Sequence, residues 1–228
     1  LGMQDKHAPF TDPAAVASYA RDTPRKVPGL ADLHRMAMLL LAEQAPAAAH
    51  VLVVGAGGGL ELASLATAQR DWRFTGVDPS PAMLDLARQA AAPFAQRIHL
   101  VLGLVDQAPA GPFDGATCLL TLHFLDRGER LRTLREIHRR MQPGARLVVA
   151  HHAPPEGNAE RWMARSVAFG ADGNSDTAKT AAVGKQMTQR LPLLMPREEE
   201  ELLRDASFVD VELFYAAFSF RGWVGTKG

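Results

Sequence analysis

The chain has 228 residues, 47% of them hydrophobic, and its 25 basic residues balance 25 acidic ones, so the formal net charge at pH 7 is zero. This balance excludes recruitment of a nucleic acid by overall charge, and no apolar run reaches the roughly 20 residues needed to span a bilayer. We therefore expect a soluble protein with a single core. The absence of a recognisable signal peptide and the single cysteine, Cys118, predict a cytoplasmic location.

Two helices are predicted before the most informative stretch of the chain. Asp12 followed by Pro13 is a typical helix start, and the Val-Pro-Gly sequence at 27–29 ends that helix. A second helix begins near Leu30, because apolar residues then recur on one helical face. The residues of that face are Leu30, Leu33, Ala37, Leu40 and Leu41.

Residues 51–66, VLVVGAGGGLELASLA, predict a strand, a glycine-rich turn and a helix. Gly55, Gly57 and Gly59 lack a Cβ, so the backbone can adopt positive φ and a ligand can lie against the main chain. The free N–H groups of the following helix then face that ligand, which favours a nucleotide-like molecule. Leu60 stands where the dinucleotide fingerprint has its third glycine, which argues against a nicotinamide cofactor.

Asp78 ends the second predicted strand, Arg73–Asp78, nineteen residues after Gly59. An acid at this position can accept hydrogen bonds from both hydroxyls of a ribose. Ser80 and Pro81 then begin a helix as cap and first-turn proline.

Three segments in this order, GAGGG, VDPSPAMLDLAR and LREIHRRMQPGARLVV, resemble the class I S-adenosylmethionine-dependent methyltransferase family over nearly the whole chain. The resemblance implies an α/β fold with a Rossmann-like, doubly wound, seven-stranded sheet. That sheet is mostly parallel with one antiparallel C-terminal strand, and N-terminal helices and a helical cap accompany it. The implied cofactor is S-adenosyl-L-methionine.

The resemblance also implies the contacts of that cofactor. The glycine turn, with Ala56, contacts the amino-acid and ribose portions, and Asp78 holds the ribose hydroxyls. Pro79 and Met83 flank the adenine, although a core methionine is the more common occupant of such a position. The cofactor contacts implied in the glycine turn and the next motif are Gly55, Ala56, Gly57, Gly59, Asp78, Pro79 and Met83.

The chain departs from the family pattern at two positions. Leu104 stands where many members have an acid for the adenine amino group, so Asp106 or the backbone is expected to replace it. Val53 stands where the family often has an acid that helps to hold the ammonium group. Its absence predicts a different arrangement, in which a carbonyl near Leu119 or Leu120 takes part.

The remaining elements follow from apolar patterning and breakers. We predict strands at Ile98–Leu102, from Phe113 to Leu122, Arg146–His151, Phe208–Phe218 and Ser219–Thr226, and helices at Glu129–Met141 and Pro196–Asp205. Residues 1–45 are interpreted as N-terminal lid helices, 46–156 with 195–228 as the cofactor-binding domain, and 157–194 as an inserted helical cap.

Catalytic candidates are Tyr19, His123 and His151, chosen because each is expected near the carboxyl ends of the strands. Tyr19 and Arg25 either reach the methionine carboxylate or the substrate from a lid, or belong to a structural brace. His123 either acts as a base or packs against the next helix. His151 and His152 are adjacent in a strand and point to opposite faces, so they cannot share a metal, and no metal site is predicted.

The predicted function is methyl transfer from S-adenosylmethionine to a small-molecule acceptor, with neither membrane nor nucleic-acid partner and with a possible homodimer. One alternative is a carboxy-S-adenosylmethionine synthase of tRNA wobble-uridine modification, which the segments VPG, DPSPAM, TLHFLDRGER and FSF resemble. That reaction needs a cation for the added carboxylate, and Lys185 or Gln186 stands at the position where the family has an arginine. A catalytically silent cofactor-binding protein is the other alternative.

Overall fold

A seven-stranded β-sheet with helices on both faces organises the chain in the computed structural model, which describes residues 10–171 and 176–228. The strands are β1 (His50–Val54), β2 (Arg73–Asp78), β3 (Ile98–Leu102), β4 (Phe113–Leu119), β5 (Met141–His152), β6 (Phe208–Ala217) and β7 (Phe220–Lys227). The helices are α1 (Pro13–Lys26), α2 (Leu30–Ala42), α3 (Leu60–Ala68), α4 (Pro81–Ala90), α5 (Arg127–Arg139), α6 (Ala159–Gly170), α7 (Thr177–Arg190) and α8 (Pro196–Asp205).

The strand order is β3-β2-β1-β4-β5-β7-β6, and β7 runs antiparallel to both of its neighbours. The predicted Rossmann-like sheet with one antiparallel C-terminal strand is therefore confirmed. The chain winds outward in one direction from β1 through β2 and β3, and in the other from β4, so β1 and β4 flank the point where the order reverses. Ligands of open α/β sheets bind in the crevice at such a point, outside the carboxyl ends of the strands.

Side-chain alternation along β1 divides the core into two layers. Val51 and Val53 belong to the layer packed beneath α2 and α3, whereas Leu52 and Val54 belong to the layer packed beneath α5 and α8. All four are buried, because β1 is a central strand covered on both faces. Cys118 of β4 is also fully buried.

The helix starts confirm the capping predictions. The Asp12 carboxylate accepts hydrogen bonds from the backbone N–H groups of Ala14 and Ala15, and Pro13 is the first residue of α1. The Ser80 hydroxyl likewise accepts from the Met83 N–H at the start of α4. These local side-chain contacts satisfy donors that a helix leaves free at its N-terminus, so short sequence patterns identify them.

Four predicted element boundaries are wrong by two residues or more. Strand β4 ends at Leu119 rather than Leu122, because Leu120 adopts a φ of +58° and turns the chain out of the sheet. Helix α5 begins at Arg127, where Asp126 and Glu129 form a reciprocal capping box. That helix ends at Arg139, and β5 begins at Met141, so the Gln-Pro-Gly sequence at 142–144 lies within the strand.

Helices α6 and α7 occupy the region interpreted as a cap, of which residues 172–175 lie outside the described residues. Helix α1 packs against α6 and α4. The division of the chain into lid, cofactor-binding domain and cap stays a prediction. Within residues 10–171 and 176–228, none of the helices is both long and apolar enough to cross a membrane.

Candidate functional site

A cleft opens where the carboxyl ends of β1, β2 and β4 meet, and it encloses about 1250 Å³ of empty space, including the part open to solvent. Three groups of residues line it. The first group comes from the glycine turn and its helix, Val54 to Glu61, and the second from the ends of the neighbouring strands. The third group, which covers the cleft, comes from Phe10 and helices α1 and α2. We call this space the cleft.

The glycine turn is fixed by hydrogen bonds from its own backbone. The N–H groups of Gly55 and Ala56 both donate to the Val77 carbonyl at 2.9 Å, which ties the turn to the end of β2. Gly59, with a φ of +83°, is the residue before α3, and a Cβ there would lie 2.6 Å from the Ala87 Cα. A side chain at position 59 would therefore push α3 away from α4.

Asp78 is hydrogen-bonded to this turn. One of its carboxylate oxygens accepts from the Gly57 N–H at 2.9 Å, and the other accepts from the Ser80 N–H at the same distance. The side chain is 8% exposed and lines the cleft. Since two backbone donors fix its orientation, the carboxylate is held in place at the edge of the cleft before any ligand binds.

Aromatic side chains cover the cleft from the N-terminal side. The Phe10 ring lies 5.1 Å from the Tyr19 ring and 5.4 Å from the Phe124 ring, in edge-to-face geometry with both. The Ser80 hydroxyl, which caps α4, also donates to the Phe10 carbonyl. Burial raises the pKa of Tyr19, the Thr23 hydroxyl lowers it, and the charge of Asp78 raises it further. Tyr19 is therefore a hydrogen-bond donor at neutral pH rather than a ready base.

Two titratable residues in the cleft, His34 and Glu61, were not identified from the sequence. Both side chains are 7% exposed. Burial lowers the pKa of His34 to about 4 and raises that of Glu61 to about 7. The signal that could have revealed Glu61 is its position in the first turn of α3, a short helix whose other residues are mostly apolar.

The structure brings most of the predicted site residues together. Those that line the cleft are Tyr19, Gly55, Ala56, Gly57, Gly59, Asp78, Pro79, Met83, Leu104, Leu119 and Leu120. Arg25 and Asp106 are exposed residues outside the cleft lining, and His123 and His151 are buried outside it. The cofactor or catalytic roles of these four residues stay predictions, and none of the four lines the cleft.

His123 and His151 take part in packing behind the cleft. His123 accepts at Nδ1 from the His152 backbone N–H, and burial, His152 and His151 together hold its pKa well below 6.5. His151 Nε2 lies 3.0 Å from a Glu199 carboxylate oxygen on α8. These contacts therefore agree better with a packing role for His123, one of the two predicted alternatives, than with a role as a base.

Arg130 completes this buried group. Its guanidinium is 0% exposed, forms an ion pair with Glu199, and donates to the carbonyls of Leu125 and Pro192. Burial alone would raise the pKa of Glu199, but His151 and Arg130 outweigh it and hold that pKa below its usual value. The group joins α5, α8 and β5, and Arg130, His151 and Glu199 are not among the described residues that line the cleft.

The fold and the cleft define a class of protein: a Rossmann-like domain with a glycine turn after β1 and an acid at the end of β2. Residues 51–144 match a protein family described as "Methyltransferase domain". This match agrees with the resemblance of the sequence motifs to the class I S-adenosylmethionine-dependent methyltransferase family. S-adenosyl-L-methionine, the cofactor expected from the sequence, is the cofactor of that family.

Three known proteins illustrate the similarity. The chain is 25% identical to a carboxy-S-adenosyl-L-methionine synthase from Geobacter sp. (strain M21) over 228 residues, which cover 95% of this chain and 91% of that enzyme. It is 34% identical to a demethylmenaquinone methyltransferase from Symbiobacterium thermophilum over 111 residues, 46% of this chain and 43% of that enzyme.

The structure of human N-acetylserotonin methyltransferase in complex with SAM superposes on this fold with a TM-score of 0.68 at 15% sequence identity. The match covers all of this chain but only 60% of the human enzyme. At this identity the likeness concerns the fold alone.

Proposed function

We propose that the protein transfers a methyl group from S-adenosylmethionine to a small-molecule acceptor bound in the cleft. The observation that carries the proposal is the Asp78 carboxylate, which the Gly57 and Ser80 N–H groups hold at the edge of the glycine turn. A carboxylate in this position can accept hydrogen bonds from ribose hydroxyls. The bound cofactor would supply a methyl group on a positively charged sulfur.

Two features of the cleft fit this cofactor. Gly57, with a φ of +53°, leaves the space beside the Met83 side chain open, since a Cβ there would lie 3.3 Å from the Met83 Cε. The cleft is also lined by the carboxyl groups of Asp78 and Glu61, while no lysine or arginine is present among the described residues that line it. Such a lining favours a ligand that carries positive charge.

The protein's part in methyl transfer is to position the reactants and to exclude water. The Phe10, Tyr19 and Phe124 rings cover one side of the cleft and exclude water there. Leu60 and Leu104, each more than 40% exposed, also line it. This apolar lining supports an acceptor with substantial apolar surface, since such groups gain free energy when they leave water. Tyr19 is the candidate for a hydrogen bond to the acceptor.

A second candidate is synthesis of a carboxylated cofactor, which the 25% identity over 95% of the chain favours. That activity requires a cation next to the added carboxylate. Lys185 and Gln186, the residues that the sequence suggests for this role, are exposed on α7 and do not line the cleft. The charge of the described cleft therefore supports the methyltransferase over the synthase.

Calorimetric titration with S-adenosylmethionine and S-adenosylhomocysteine tests the proposal, together with mass spectrometry of any ligand retained through purification. Binding of both ligands, followed by methylation in an acceptor screen, is the expected result. A retained cofactor heavier by one carboxyl group would instead establish the synthase. Failure to bind either ligand at millimolar concentration would contradict both activities and favour a catalytically silent protein.

A further inference from the structure

Glu61 is a buried acid whose position in the cleft no packing role explains. It is the second residue of α3, two residues after the glycine turn, and its side chain is 7% exposed. Its Oε1 atom is buried and has no hydrogen-bond partner among the described residues. Since buried polar atoms almost always have a partner, and a buried carboxyl without one lowers stability, this atom indicates a group that the protein binds.

Among the described residues that line the cleft with Glu61, none is a lysine or an arginine. The Thr117 hydroxyl on β4 is near enough to lower the pKa of Glu61, yet Thr117 Oγ1 is also buried and has no hydrogen-bond partner in the described part of the chain. Two nearby titratable groups, the Cys118 thiol, whose pKa burial raises, and the neutral ring of His34 on α2, carry no positive charge either. A positive partner for Glu61 must therefore come with the ligand.

A structural role for Glu61 at the N-terminus of α3 does not require this burial. An acid in the first turn of a helix stabilises it through the helix dipole, but an exposed acid does so without losing its hydration. Position 60, also in the first turn, is 42% exposed and holds a leucine. The acid thus occupies the buried position, facing the cleft, and the apolar residue occupies the exposed one.

We propose that Glu61 binds the α-ammonium group of S-adenosylmethionine, an inference that rests on the proposed function. An unpartnered carboxylate oxygen needs a hydrogen-bond donor, and the ammonium group supplies both a donor and a positive charge. The sulfonium has no hydrogen to donate, and the ribose hydroxyls are assigned to Asp78. A charge-assisted hydrogen bond of this kind contributes about 1.5–3 kcal/mol, which corresponds to roughly 10-fold to 100-fold in affinity.

The test compares S-adenosylhomocysteine with an analogue that lacks only the α-amino group, by calorimetry on wild type, Glu61→Gln and Asp78→Asn. We expect wild type to prefer S-adenosylhomocysteine by at least about 10-fold, and Glu61→Gln to lose that preference because it weakens binding of the amino-bearing ligand alone. Asp78→Asn is the matched control and should weaken both ligands equally. Circular dichroism verifies that each variant is folded.

Two outcomes would overturn the inference while leaving the proposed function intact: Glu61→Gln retains the preference, or it weakens both ligands equally. Wild type that binds neither ligand would instead contradict the proposed function itself. If Glu61→Gln does not fold, the proton release on ligand binding to the wild type near pH 6.5 tests the inference instead. Binding of S-adenosylhomocysteine should then release more protons than binding of the analogue, measured in two buffers of different ionisation enthalpy. Equal release would refute the role of Glu61.

Discussion

Replacing Glu61 with glutamine should make the ligand-free protein more stable at alkaline pH, although it removes a proposed ligand contact. Burial raises the pKa of Glu61 from its ordinary value of 4.5 to about 7 in the folded protein. An acid with a raised pKa retains its proton in the folded state between these two values while the unfolded chain has lost it. The wild-type free energy of unfolding therefore falls as the pH rises from about 4.5 to about 7.

The size of this effect follows from the two pKa values. A tenfold change in a protonation equilibrium corresponds to about 1.4 kcal/mol, so the interval from 4.5 to about 7 corresponds to about 3 kcal/mol. Glutamine has nearly the same shape and does not titrate, so Glu61→Gln lacks this loss. The variant's free energy of unfolding, relative to wild type, should rise by about 3 kcal/mol between pH 4 and pH 8.

Urea denaturation of both proteins at several pH values, without ligand, measures this difference. All other titrating groups are common to the two proteins, so their contributions cancel in the comparison. The His34 and Cys118 groups near Glu61 are present in both. A difference in the free energy of unfolding that stays constant from pH 4 to pH 8 would refute the reasoning, because it would mean that Glu61 titrates as an exposed acid.

Three further predictions concern other residues. Asp78→Ala should weaken S-adenosylhomocysteine binding by at least about 10-fold in calorimetry while the protein stays folded; unchanged affinity would mean that the ribose lies elsewhere. Gly59→Ala should lower the free energy of unfolding by about 3 kcal/mol or more, because its Cβ would meet the Ala87 backbone at 2.6 Å. Gly144→Ala is its control, because Gly144 also has a positive φ but an added Cβ would have nothing within 4 Å. This variant should lower the free energy of unfolding by only about 1 kcal/mol. If urea denaturation showed equal decreases for the two variants, the contact with Ala87 could not be the cause. Arg130→Met should cost about 3 to 5 kcal/mol in the same assay, since it leaves the buried Glu199 without its cation, and a loss below 1 kcal/mol would show that the pair is hydrated.

Much of the fold could be predicted because its local features leave direct traces in the sequence. Strand β2 and helix α8 have the predicted boundaries, because Ser80 caps the helix that follows β2 and Pro196 is the first residue of α8. The start of β5 could not be predicted in this way. Residues 142–144, Gln-Pro-Gly, have the composition of a loop, yet Met141 pairs with Phe113 and the strand extends through them. Regular pairing with β4 resumes at Arg146 after a register shift, so these residues form an irregularity that the long-range pairing on either side keeps within the strand.

The same difference between local and long-range features applies to the candidate site. The glycine turn and Asp78 were predictable because close approach of a ligand to the backbone requires glycine and because the last residue of β2 lies beside the turn. Whether His123 and His151 face the cleft depends on the register of β5 and on the turn after Leu119, neither of which the sequence defines. Both histidines pack behind the cleft, where α5 and α8 meet β5.

The sequence alone could not indicate the role that we propose for Glu61. The sequence shows an apolar residue at position 53, where the family often has an acid, and this absence predicted a changed arrangement of the ammonium site. The structure places a buried acid eight residues later, on the helix that begins at the end of the same turn. A residue in the first turn of a helix is ordinarily explained by the helix dipole. Only its burial, and the absence of a partner for Oε1 within the described residues, distinguishes a ligand contact from a helix-stabilising charge.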